Sequence, residues 1–557
     1  MANSRALYII ILLFTLFNLL FINKALHIDD PYSIKCARAI LDSPAPTHPA
    51  LSTNPPLLGY YYAPIIKLFG EREIWLHIFS LPFSILAIIA MFFLCKRFCN
   101  GSVFPILFLL STPAFVVTSQ SIMLDMPALA LSLSALALFI YGIDSNKGIP
   151  LLSSGILAGA AMLTKYSGFL LLPLFLIYGI LYAKDKKMLL ALLIPVIIFI
   201  IWDIHNLVSY SRSLSLFTLQ WVWKRASFNG LPLRIIASLS FLSGTSIIAF
   251  FIVPCMLRKK SGIVLFCISF LSGTIPFLLR GIFNDYTLPE KTCLAFLIVV
   301  STTMILLITE RTLASFGKDK DAFFLGIWFL ISLAAVILFI FVAARFVLVI
   351  FPPMFLLAFR MISPLNNPRK RLFSAAAAIS FILAAIIAIG DYQFAGVYRE
   401  FSNDVKKGAV DGRNKAFLYA GDWGYNYYVI QQGLDRIKSK TLSSYSSHGK
   451  IPKAGLKLIE DMRPDASHGI VLVMPEQPVL PTVGFGRKEL FWQKIADLGW
   501  HKSEIKREVY FSGIILHHTG YKTGFYSHDW GLLPFKFKRK AVLEEFSFYR
   551  LMPRNDN

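Results

Sequence analysis

Ala6-Leu7-Tyr8-Ile9-Ile10-Ile11-Leu12-Leu13-Phe14-Thr15-Leu16-Phe17-Asn18-Leu19-Leu20-Phe21-Ile22 is an apolar run that gives way at once to Asn23-Lys24-Ala25-Leu26-His27-Ile28-Asp29-Asp30-Pro31. About 20 helical residues cross a bilayer's hydrocarbon core, so the run has the length of a span. It follows a single Arg5 in the manner of a signal peptide, but no small-residue cleavage site follows and more apolar runs do. It reads as an uncleaved first helix. Similar runs lie at 74–95, 101–118, 126–143, 150–163, 167–183, 188–206, 233–257, 262–279, 292–309, 322–342, 346–362 and 372–390, about thirteen in all with the first at 6–23.

The composition agrees. Of 557 residues, 56% are hydrophobic and 16% charged, too apolar for a soluble protein. The net charge of +23 is no nucleic-acid signal, because Lys and Arg cluster in short gaps between apolar runs, where they set topology and meet anionic lipid. Cys36, Cys95, Cys99, Cys255, Cys267 and Cys293 are scattered singly. None has the spacing of a zinc site.

Basic groups recur in every second gap: Lys96-Arg97, Lys147, Lys184 to Lys187, Arg258-Lys259-Lys260, Arg311 to Lys320 and Arg369-Lys370-Arg371. Those gaps are expected to be cytoplasmic, with the N-terminus inside and the chain after residue 390 outside. The expected organisation is a transmembrane domain at 1–390, with a first outer loop at 24–73, and an extracytoplasmic domain at 391–557. Charged residues and short β-rich runs, with helix-like stretches between them, mark the latter as α/β.

The remaining polar residues fall at the opposite ends of the runs: Asp29, Asp30, Asn54, Asp125, Lys165, Asp203, His205, Asn206, Arg212, Arg280, Asp285 and Arg345. Ionisable groups at membrane depth pair with one another or line a wet cavity, so their common side points to a polar cavity at the outer interface. Asp29 and Asp30 suit a general base beside a carboxylate that holds a metal or an acceptor group. They equally suit a solvated start to a helix at Pro31. Asp125 reads either as a cavity acid or as a cap before Pro127. Lys165 either snorkels or binds an anionic headgroup. Arg345 has the forked geometry that pairs phosphate oxygens. His205, near Asp203, is a metal-ligand candidate or a hydrogen-bonded helix-end histidine. Gly421 to Tyr428 is either a sugar-stacking aromatic segment or a strand-to-helix turn with core aromatics.

Several motifs share an order that resembles a known family. They are Asp29-Asp30 after the first run, Asn54-Pro55-Pro56-Leu57 with Tyr60-Tyr61-Tyr62, Met123-Leu124-Asp125-Met126-Pro127, Leu163-Thr164-Lys165-Tyr166-Ser167-Gly168, and Arg345-Phe346 ahead of Phe351-Pro352-Pro353. Together they resemble bacterial GT-C glycosyltransferases, in particular the protein-mannosyltransferase-like group that includes lipid A aminoarabinose transferases. The resemblance implies a polytopic α-helical membrane protein with a C-terminal extracytoplasmic α/β domain. It implies transfer of a sugar, with inversion, from a polyprenyl-phosphate donor to a lipid, glycan or protein acceptor at the outer face of a bacterial inner membrane. Asp29 would then be the base, and Lys165 and Arg345 the donor-phosphate contacts. Asp30 stands where the family usually has Glu. Asn54, Tyr60, Tyr61, Asp125, His205 and Asn206 would line the substrate cavity. A divalent metal, if used, would find His48 nearest the Pro-Pro turn, with His205 as a second candidate. A transporter or flippase for a lipid-linked sugar is the alternative, although such proteins carry mid-membrane charges and internal repeats that this sequence lacks.

Overall fold

The computed structural model describes residues 2–43, 54–225, 230–257, 260–411, 417–419, 423–431, 435–436, 470–475, 496 and 500–553. The chain divides into two compact units. The first comprises Met1–Asn23, Tyr32–Ile389 and Tyr521–Lys536, and the second Lys24–Pro31, Gly390–Gly520 and Phe537–Asn557.

The first unit is a bundle of apolar helices, as expected of a multi-pass membrane protein. Among the described residues, seven helices are long and apolar enough to cross a membrane: Glu73–Phe98, Asp125–Ser145, Lys186–Tyr210, Lys260–Leu278, Leu288–Ser315, Lys320–Leu338 and Asn367–Val405. The apolar run at 233–257 is two helices, Leu231–Gly244 and Ala249–Met256, bent by 94° at their break and giving an eighth crossing if counted as one. Four shorter apolar helices add Arg5–Leu19, Gly148–Thr164, Tyr166–Tyr182 and Phe351–Ile362.

The run at 101–118 departs from a continuous span. It is split into Phe104–Leu110 and Pro113–Ser119, with the Thr112 side chain accepting from Phe115 N–H to cap the second helix. Pro113 lacks the N–H that would continue the first, so the chain restarts there. Arg345 likewise sits not in a long helix but in the 3-10 turn Ala344–Val349, ahead of Phe351–Ile362. The proline pair at 352–353 is tolerated in that helix's opening turn, where the backbone donors have no partners anyway.

Small residues let these helices approach. A Cβ on Gly155 or Gly159 would meet Ile194 or Ile198 at 2.8 Å, so the helix Gly148–Thr164 packs its glycine face on the helix Lys186–Tyr210. Close small-residue contacts of this kind drive helix association where lipid offers no hydrophobic contrast. At one end of the bundle Arg97 pairs with Asp144 and Asp321, Arg360 with Asp319 and Asp321, and Arg311 with Asp319. Arg97, Asp144, Arg311, Asp319, Asp321 and Arg360 thus gather the ends of several helices into one ionic cluster.

The second unit contains a mixed five-stranded sheet in the order Asp435–Arg436, Phe417–Tyr419, Ile470–Pro475, Lys536–Pro553, Trp500–Ile515. The first three run parallel, and Ile470–Pro475 pairs antiparallel with the long strand, Leu472 facing Tyr549. Phe401, Tyr425 and Phe546 stack in its core. Tyr425, Tyr427 and Tyr428 are buried in the helix Trp423–Gln431, which makes them core aromatics rather than a sugar-stacking face. The helix-like stretch expected at 488–498 falls outside the described residues apart from residue 496.

Candidate functional site

Two charged clusters stand out, one in each unit. In the first unit Asp125 opens the helix Asp125–Ser145, where a carboxylate meets the positive end of the helix dipole. The turn before it is pinned by neighbours: Ser80 Oγ donates to Ser121 O at 3.2 Å and Ser33 Oγ to Ile122 O at 3.3 Å. Lys165 caps the helix Gly148–Thr164, its N–H donating to Ala161 O, and Gly168 N–H donates back to Lys165 O at 2.9 Å. A Cβ on Gly168 would lie 2.5 Å from Met162 N, so the chain turns tightly there.

These constraints bring three segments together. Lys165 Nζ donates to Asp125 Oδ1 at 2.5 Å, and Arg345 Nε lies 3.5 Å from Asp125 Oδ2. Phe346 lies under the Lys165 ammonium at 4.3 Å from its ring centre. The side chains of Asp125 and Arg345 are 8% and 5% exposed, that of Lys165 20%. Two cations thus converge on one carboxylate in a poorly solvated place.

A segment near the C-terminus reaches this cluster within the same unit. Ala344 N–H donates to Phe525 O at 2.7 Å and His528 N–H to Val342 O at 2.8 Å, both just before Arg345 in the chain. The Arg345 guanidinium lies 5.9 Å from the Tyr526 ring centre. Tyr286 Oη accepts from Leu532 N–H and Ser240 Oγ donates to Leu532 O, tying the segment down. Nothing in the sequence near Tyr526 signals this, because its partners lie about 180 residues upstream.

In the second unit, the loop after the first helix is held by a buried quartet. Lys24 Nζ donates to Asp391 Oδ2 at 2.5 Å. His27 places Nε2 3.1 Å from Asp391 Oδ1 and Nδ1 3.3 Å from Asp30 Oδ2. All four side chains are fully buried. Both imidazole nitrogens face carboxylate oxygens, an arrangement that favours the doubly protonated ring. Burial alone would lower its pKa, but Asp391 and the hydrogen bonds to both acids outweigh burial and Lys24, holding it above the ordinary value.

The turn carrying Asp29 is bounded by these contacts. Asp30 N–H donates to His27 O, and His27 N–H donates to Asp30 Oδ2 at 3.1 Å. Ile28 adopts φ 50, a left-handed conformation unfavourable for a β-branched residue. Asp29, partly exposed, lies at the apex, while Asp30 starts the helix Asp30–Asp42. Helix start and network member are therefore Asp30's observed contacts.

The other candidates lie elsewhere. Tyr61 Oη donates to Phe79 O at 2.7 Å and so is turned onto the helix Glu73–Phe98. Tyr60 is 37% exposed and Asn54 partly exposed. Asp203 accepts from Ser213 and Ser215, both at 2.6 Å, rather than joining His205, which is exposed beside Ser209 Oγ at 3.3 Å. Asn206 is buried and donates to Trp202 O at 2.9 Å. His48 falls outside the described residues. Among the described residues no group of three or more His, Cys, Asp or Glu side chains is arranged to hold a metal ion.

Comparison with known proteins follows from these features. Residues 53–203 match a family model described as dolichyl-phosphate-mannose-protein mannosyltransferase. No curated protein matches the chain. Among solved structures it is similar to ArnT from Cupriavidus metallidurans bound to undecaprenyl phosphate, at 13% identity and a TM-score of 0.44 over 97% of each chain. The apo form of that protein gives 13% identity and a TM-score of 0.43 over 98% of each chain. The Archaeoglobus fulgidus oligosaccharyltransferase in complex with Zn and sulfate gives 12% and 0.37, over 83% of this chain and 67% of that one. The matched stretch contains the Pro-Pro turn, Asp125 and Lys165.

Proposed function

We propose that this protein transfers a sugar from a polyprenyl-phosphate-linked donor to a lipid, glycan or protein acceptor at the outer face of a bacterial inner membrane, with inversion. In this reading the N-terminus is cytoplasmic and residues 391–557 form the extracytoplasmic domain. The observation that carries the reading is the cluster of Lys165 and Arg345 on Asp125, supported by the family match across two of its three residues.

The chemistry follows from charge. A sugar phosphodiester carries one negative charge, and the phosphate monoester it leaves behind carries up to two. Cations fixed beforehand in a weakly solvated place stabilise that developing charge without reorganising. The leaving group therefore needs charge stabilisation more than a proton. On the acceptor side Asp29 takes the hydroxyl or amine proton as the new glycosidic bond forms. Asp29 suits this better than Asp30 because Asp30 is buried and already engaged by His27.

Binding of a polyprenyl phosphate tests the cluster. The wild-type protein in detergent is expected to show thermal stabilisation by the lipid phosphate, with affinity reduced about tenfold or more in Lys165→Met and in Arg345→Met, on the scale of charge-assisted hydrogen bonds. Unchanged affinity in both variants would remove the phosphate role from this cluster.

A further inference from the structure

We infer that Asp391 is a positioning residue for Asp29, acting through Lys24 and His27 on the turn that presents the Asp29 carboxylate. The inference rests on the reading of Asp29 as the base. Asp391 itself is fully buried, and no acceptor reaches it.

Its carboxylate is divided between two partners, Lys24 on Oδ2 and His27 on Oδ1. These partners lie just before the Asp29 turn, and His27 passes the constraint on to Asp30 on the turn's other side. Asp29 is thus bracketed by two residues whose side chains are locked to each other. Phe394 closes the imidazole edge-on at 6.0 Å. The backbone just before the turn is held independently: Leu26 N–H donates to Tyr428 Oη at 2.8 Å, and a Cβ on Gly424 would strike Leu26 O at 2.4 Å.

Two features speak for positioning rather than stability alone. A buried quartet of two cations and two carboxylates is an expensive way to hold a fold, since apolar side chains of similar size are often as stabilising. The Ile28 backbone at φ 50 is a strained conformation for a β-branched residue and persists only where its surroundings over-determine it. The polar network supplies that constraint, and the residue after Ile28 is the one partly exposed acid of Asp29, Asp30 and Asp391.

The test is a double-mutant cycle on the purified full-length protein, with transfer measured from a labelled polyprenyl-phosphate sugar. Asp391→Asn is expected to lower kcat about 10- to 100-fold, the cost of misplacing a reacting group by about 1 Å, while the donor KM stays within about twofold. The double variant Asp29→Asn/Asp391→Asn should be no slower than Asp29→Asn alone, because the two changes act through one group. If Asp391→Asn does not fold, His27→Gln takes its place in the same cycle. Full kcat in a folded Asp391 or His27 variant, or a loss in the double variant equal to the product of the two single losses, overturns the inference. Wild-type turnover in Asp29→Asn alone is the separate signature that the base assignment has failed.

Discussion

Lys165 Nζ sits 2.5 Å from Asp125 Oδ1, joining residues forty apart at the mouths of two helices. Arg345 joins the same carboxylate from a third segment. In this arrangement Asp125 serves as the resident counter-charge for two cations. Asp125→Asn would remove the carboxylate that both share in a mostly buried place, at a cost of about 3 kcal/mol or more. Thermal unfolding in detergent should show a clearly lowered Tm, with added polyprenyl phosphate restoring more of it than the lipid adds to wild type. An unchanged Tm would mean that the ion pair contributes nothing to holding the cluster.

Arg345 should not tolerate a charge-conserving exchange. Its Nε faces Asp125 while Nη1 reaches Met123 Sδ at 2.6 Å, and lysine offers a single compact charge. Arg345→Lys is expected to lose about tenfold or more in kcat/KM for the lipid-linked donor. Steady-state kinetics over a donor concentration series checks this, and wild-type kcat/KM would show that only the charge matters.

Two histidines of the second unit should bound its stability in opposite directions of pH. Burial lowers His518 to about 4, so its contribution is complete above the unfolded value near 6.5 and is lost as pH falls from there toward 4. His27 is raised, so its contribution is complete below about 6.5 and is lost as pH rises through the elevated folded value. Unfolding monitored across pH should therefore fall off on both flanks, with His518→Gln relieving the acid flank and His27→Gln the alkaline one. A profile unaltered by both substitutions would contradict the pair of assignments.

Gly424 gives a steric test of the Asp29 turn. Its Cβ would meet Leu26 O at 2.4 Å and His27 Cα at 2.9 Å, both backbone atoms that cannot swing aside. Gly424→Ala should cost about 1–3 kcal/mol, the usual penalty of overpacking, and should lower transfer as well as Tm. Wild-type activity and Tm would show that the loop shifts freely.

Much of the bundle was legible because span length is a local signal. The motifs around Asp125, Lys165 and Arg345 could be read singly, each as a polar residue at the end of an apolar run. Their division of labour could not: which residue neutralises which is fixed by helix ends that meet only in three dimensions. Lys24 shows the limit most clearly. It stands at the end of the first apolar run with no local sign of its partner, because Asp391 lies 367 residues away. The breaks at Thr112 and between the helices Leu231–Gly244 and Ala249–Met256 escaped the run count because a hydropathy window averages across them. Tyr526 reaches Arg345 through backbone pairing, which leaves no mark in side-chain pattern.

The most direct test of the account is sugar transfer from a panel of radiolabelled polyprenyl-phosphate sugars to total membrane extract, comparing purified wild type with Asp29→Asn. The account predicts transfer by wild type from at least one donor and a loss of about 10²-fold or more in the variant, the scale of a removed general base. Equal transfer by both proteins, or labelled lipid crossing vesicle membranes with no sugar transferred at all, would contradict it.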